Sequence, residues 1–74
     1  MVWPMISPAK LIRLLRGRTQ FRVAAEAEIH PSRLSLIENQ RVEPTEDELK
    51  RLAVVLRTTT EALRRQVGEE LLTA

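Results

Sequence analysis

Residues 20–38 read QFRVAAEAEIHPSRLSLIE, and the punctuation inside this stretch decides the fold. Thr19 can cap a helix from Gln20 to about Ala27, in which Val23, Ala24 and Ala27 recur at core-facing spacing. Glu28, Ile29 and His30 interrupt it. Pro31, a residue suited to a first helical position, then opens another helix that runs to about Asn39. Two helices of about eight residues joined by about three cannot fold back antiparallel, so they must cross steeply. In the second of them Leu34 and Ile37 form the inward face. Ser32, Ser35 and Leu36 point the other way, with Arg33 on the flank.

The flanking sequence is helical as well. Ser7-Pro8 reads as an N-cap followed by proline, and Gly17 as the stop after Arg16. In this first helix Leu11, Ile12, Leu14 and Leu15 are predicted to face the core, with Lys10, Arg13 and Arg16 on the other side. Pro44 ends a loop, and Thr45-Glu46-Asp47-Glu48 makes a capping box in which the Thr45 hydroxyl and the Glu48 carboxylate each satisfy an orphan amide. The fourth helix, about 46–56, carries Leu49, Leu52, Ala53 and Leu56 on one stripe. Thr58-Thr59-Thr60 offers the cap for a fifth, where Leu63, Val67 and Leu71 recur every fourth residue. Strand signals are nearly absent, since Val54-Val55 sits inside a helical period. The fold class is all-α with five helices. The expected organisation is one domain over 1–74: a helical core at 7–66, an N-terminal arm at 1–6 and a C-terminal extension at 67–74.

Composition removes several function classes. Seventy-four residues make a small domain, which buries only ~60% of the surface its unfolded chain exposes. With no cysteine and one histidine, neither a disulfide nor a zinc finger is available, and no metal or other cofactor is expected. No apolar run approaches the ~20 residues of a membrane span, and residues 1–6 lack the basic leader of a secretory signal, so a cytoplasmic, nucleoid-associated protein is expected. Residues 1–42 hold seven bases against three acids, a net of +4, whereas residues 43–74 come to −2. A basic half looks toward a polyanion. Ten of the twelve bases are arginine, whose planar fork suits phosphate and guanine. An enzyme is not expected, for there is no cysteine, no tyrosine, one histidine and no glycine-rich phosphate loop. The acidic cluster Glu43, Glu46, Asp47 and Glu48 reads as a helix N-terminus favoured by the macrodipole.

The pattern Arg13, Gln20, Ala24, Ile29, then Leu34-Ser35-Leu36-Ile37-Glu38-Asn39 with Pro44 beyond, resembles the Cro/phage-repressor (XRE-like) helix-turn-helix family. The likeness covers about residues 9–64, and Leu52-Ala53-Val54-Val55-Leu56, Thr59 and Leu63 fit the family's last two helices. It implies sequence-specific binding of double-stranded DNA, with residues 31–39 as the recognition helix in the major groove. Base-edge contacts are then expected from Ser32, Arg33 and Leu36, with Pro31 and Ser35 beside them: serine can bond several base edges, leucine can cover a thymine methyl and arginine can take guanine bidentately. Phosphate contacts are expected from Gln20, Arg22, Asn39 and Arg41. The resemblance also implies an ion pair between Arg13 and Glu38, architectural in role.

Some positions depart from the family pattern. Glu28 and Gln40 stand where glycine is usual, His30 where a Ser or Thr cap is usual, and Arg18 where an apolar residue is usual. A positive φ at Glu28 would carry strain of order 1 kcal/mol. Such proteins bind pseudo-palindromes as dimers, so a homodimeric repressor is expected, with Leu63, Val67, Leu71, Leu72 and Trp3 as candidate interface residues and Val54 spare on the fourth helix. The alternative is a protein-interaction module, such as the antitoxin of a toxin–antitoxin pair, using Phe21, Trp3 and the C-terminal leucines on a protein partner.

Overall fold

Every described helix opens on a side chain that accepts from its own first turn. The computed structural model describes residues 7–64. Helix α1 spans Pro8–Leu15, and Ser7 Oγ accepts from the Lys10 amide at 3.1 Å. Helix α2 spans Gln20–Ala27 behind Thr19, whose Oγ1 accepts from Arg22 N at 3.2 Å. Helix α3 spans Pro31–Glu38 and is capped by His30, whose Nδ1 accepts from Ser32 N at 3.2 Å. Helix α4 spans Glu46–Leu56 with the full capping box of Thr45 and Glu48. Helix α5 spans Thr60–Arg64, with Thr59 Oγ1 accepting from Ala62 N. Each such cap satisfies an amide that would otherwise have no partner.

The first four helices end alike. Each closes on paired backbone bonds, such as Ile29 N to Ala24 O at 2.9 Å with Glu28 N to Ala25 O at 3.2 Å, and the same pairing recurs after α1, α3 and α4. This is the Schellman arrangement, which needs a left-handed residue. Gly17 supplies it after α1 with φ 66°, but Glu28, Gln40 and Arg57 supply it elsewhere with φ 56°, 58° and 56°. The turn strain anticipated at Glu28 is therefore present, and Arg57 adds a position that no turn residue announced.

The core joins all five helices. Val23, Ala24 and Ala27 of α2 meet Leu49, Leu52, Ala53 and Leu56 of α4, and Ala9, Ile29, Leu34 and Leu63 complete the cluster. The predicted orientation of α1 is corrected. Ala9 and Arg13 turn inward with Ile12 partly buried, while Leu14 and Leu15 are 54% and 72% exposed. Glu38 is the reason. A buried carboxylate without its partner costs ~3–5 kcal/mol, whereas leucines left half in water forfeit only part of the ~1.5–3 kcal/mol that full burial gives each. The helix is rotated so that Arg13 reaches Glu38 and Arg16 donates to the Leu56 carbonyl at 3.1 Å. No described helix is long and apolar enough to cross a membrane.

Candidate nucleic-acid interface

Helices α2 and α3, joined by Glu28, Ile29 and His30, form the crossed pair expected from the sequence. Ile29 drops into the core and anchors the turn, and Arg51 of α4 braces it by donating Nη1 to the carbonyls of Ala27 and Glu28 at 3.1 and 2.9 Å. That brace answers the helix-end carbonyls of α2. Nothing local in the sequence announces it, because Arg51 lies a full helix away.

Helix α3 buries Leu34, Ile37 and Glu38 and turns the rest outward. Ser32 is exposed, Leu36 is 43% exposed, and Pro31 and Ser35 are partly exposed beside them. Ser32 Oγ lies 2.7 Å from His30 Nδ1, which also accepts the Ser32 amide, so the Ser32 side chain belongs to the cap as well as to the exposed face. Exposed Asn39 donates to Ser35 Oγ at 3.4 Å. These residues make one continuous polar-and-leucine face.

Behind that face lies a buried charge hub. Arg13 Nε donates to Glu38 Oε2 at 2.8 Å and Nη2 to Oε1 at 3.1 Å, while Nη1 donates to the Arg18 carbonyl at 2.8 Å. Gln20 Nε2 also donates to Glu38 Oε1, at 3.2 Å. One carboxylate thus ties the end of α3 to α1 and to the first residue of α2. Gln20, expected at a phosphate, has its amide nitrogen turned to this hub.

Arg33 is the main revision. Instead of lying free beside Ser32 and Leu36, its guanidinium forks onto Glu48 of α4, Nε to Oε2 at 3.0 Å and Nη2 to Oε1 at 2.9 Å. Nη2 also donates to the Glu43 carbonyl at 3.2 Å. The fork is planar and bidentate, a geometry that fixes the guanidinium's orientation as well as its distance from Glu48. In this arrangement the Arg33 guanidinium is turned toward α4 and not toward the Ser32 and Leu36 face. Glu48 is held down to about 2, first by Arg33 and then by the Thr45 backbone and hydroxyl, against its burial. The sequence had shown Glu48 as half of a capping box, but a carboxylate has two oxygens, and the second use was not visible.

Among the phosphate candidates, Arg22 projects into solvent beside Glu26, and Arg41 and Asn39 are exposed just past α3. Arg18, the departure from an apolar position, pairs with Glu26, and the Arg18 guanidinium holds that carboxyl below its usual range. Of the candidate interface residues, Leu63 is corrected: it is 6% exposed and completes the core of the monomer, packed in one cluster with Ala9, Leu49, Leu52 and Leu56. Trp3, Val67, Leu71 and Leu72 lie outside the described residues. Phe21 and Val54 are exposed, at 69% and 78%.

A family model described as Helix-turn-helix matches residues 10–63. Among solved structures the chain is similar to the crystal structure of a hypothetical transcription factor, NHTF, from Neisseria, with a TM-score of 0.75 and 19% identity over 90% of this chain and 77% of that one. At that identity the likeness concerns fold. No curated protein matches the chain. With the model match spanning most of the sequence, and with the crossed α2–α3 pair and its Arg13–Glu38 tie in place, the chain belongs to the Cro/phage-repressor-like (XRE) helix-turn-helix family.

Proposed function

We propose that this protein is a transcriptional regulator that binds double-stranded DNA with α3 in the major groove. The observation that carries the reading is the outward face of α3: Ser32 and Leu36, flanked by Pro31 and Ser35, stand clear of the core on a helix anchored at both ends. Serine and leucine suit a thymine-containing edge, with the methyl against Leu36. Arg22, Arg41 and Asn39 flank that face as phosphate contacts, and the Gln20 carboxamide, at the start of α2 with its nitrogen on Glu38, is a further one. Phosphate contacts supply affinity and salt dependence; base edges supply sequence.

The protein acts as a homodimeric repressor on a pseudo-palindromic site, since one recognition helix reads half of a useful site. With Leu63 in the core, the candidates that remain for holding two copies together are exposed Val54 and, outside the described residues, Trp3, Val67, Leu71 and Leu72. A second reading, a protein-interaction module of the antitoxin kind, has its support in Leu14, Leu15 and Phe21, three large apolar side chains on the surface of α1 and α2.

Selection on random duplex DNA, followed by titration of the best site at several salt concentrations, separates the two. A two-fold symmetric consensus with affinity falling steeply as salt rises is the expected result. Weak, salt-sensitive binding to every duplex with no enrichment would transfer the function to a protein partner.

A further inference from the structure

We infer that Arg33 is a positioning residue, and that Glu48, on α4 and away from the outward face of α3, sets DNA affinity through it. The inference rests on the DNA-binding reading above and deepens it. Helix α3 packs on α1 and α2 and has little backbone contact with α4. Its C-terminal end is tied to α1 by the fork between Arg13 and Glu38, and its N-terminal turn is tied to α4 by the fork between Arg33 and Glu48. These are two Arg–carboxylate forks running to different neighbours, and a planar bidentate pair fixes orientation as well as distance. Together they set the rotation of α3 about its own axis, and hence where Ser32 and Leu36 point.

Three details make the second fork a built feature rather than an incidental surface pair. Glu48 is largely buried, and its Oε1 also accepts the Thr45 amide at 2.8 Å, so its position is already fixed by the α4 cap. The Glu43 carbonyl takes a further bond from Arg33, so the loop between α3 and α4 is gathered into the same site. Arg33 also lies roughly 60° around the helix from Leu36, toward α4 rather than toward the free face.

The test uses the full chain with Glu48→Gln, Arg33→Ala and the double variant. Glu48→Gln keeps an acceptor for Thr45 N, so the capping box and the fold survive. Each single change is expected to weaken binding to the selected site by about tenfold, a difference of about 1.4 kcal/mol. The double variant is expected to be no weaker than Arg33→Ala alone, and selection on each variant should return the wild-type consensus. Thermal midpoints should show the same non-additivity without DNA. Unchanged or tighter binding by Glu48→Gln, together with a relaxed preference at one base position in Arg33→Ala, would overturn the inference and return Arg33 to base reading. Additive thermal midpoints would overturn it too, by showing the pair uncoupled. If the wild type yields no consensus, the DNA-binding reading falls and this inference with it.

Discussion

Glu28, Gln40 and Arg57 carry φ of 56°, 58° and 56°, each in the closing turn of a helix where the chain must become left-handed. An L-residue pays about 1–2 kcal/mol there, and glycine does not, although glycine gives back part of the gain through a looser unfolded chain. Gln40→Gly and Glu28→Gly should therefore each stabilise by about 0.5–1 kcal/mol, read as a raised thermal midpoint. An unchanged midpoint would mean that side-chain contacts already offset the strain. Glu38→Gln should act in the opposite direction, costing about 3–5 kcal/mol, because it leaves Arg13 buried without a counter-charge; urea unfolding measures it. Glu48 adds a pH signature. Its folded carboxyl lies at about 2 against an ordinary 4.5, so the stability it contributes is complete above 4.5 and is lost as pH falls toward 2. The stability gap between wild type and Glu48→Gln should accordingly narrow between pH 5 and pH 3, and a gap that stays constant would contradict the depressed carboxyl.

At the scale of the element, helix starts were legible and helix faces only partly so. Ser7, Thr19, Thr45 and Thr59 each act on the amide three residues away, a distance within which sequence is structure. The inward faces of α2, α3 and α4 followed from spacing for the same reason. Helix α1 did not. Its leucine count favoured one face, but its neighbours needed Ala9 for close approach and Arg13 for Glu38, twenty-five residues on. With both leucines exposed, Leu14→Lys and Leu15→Lys should each change stability by no more than about 0.5 kcal/mol, as surface substitutions do. Ala9→Leu should cost about 1–3 kcal/mol through overpacking. The reverse ranking in thermal melts would show that α1 turns its leucines inward in solution.

For the whole molecule, charge is arranged around a small core rather than spread over it. Arg13, Arg16, Arg18, Arg33, Arg51 and Arg64 donate to carboxylates or carbonyls within the fold, while the side chains of Arg41 and Arg57 make no hydrogen bond among the described residues. Arg41 is exposed just past α3 and is the residue proposed above for the phosphate backbone. Arg41→Ala should weaken every duplex about equally and reduce the salt slope by about 1. A loss confined to one consensus sequence would place it at a base edge instead.

By itself the sequence determined the five helices, their caps, the three-residue turn, the outward set on α3 and the pairing of Arg13 with Glu38, since each follows from local chemistry or from a motif in fixed register. Only the tertiary structure decided which way α1 faces, that Leu63 closes the core and that Arg33 answers to Glu48. Each of those depends on a partner distant in the chain. An arginine looks the same in sequence whether its fork will meet a base, a phosphate or a carboxylate, and the choice is made by what folding brings within 3 Å of it.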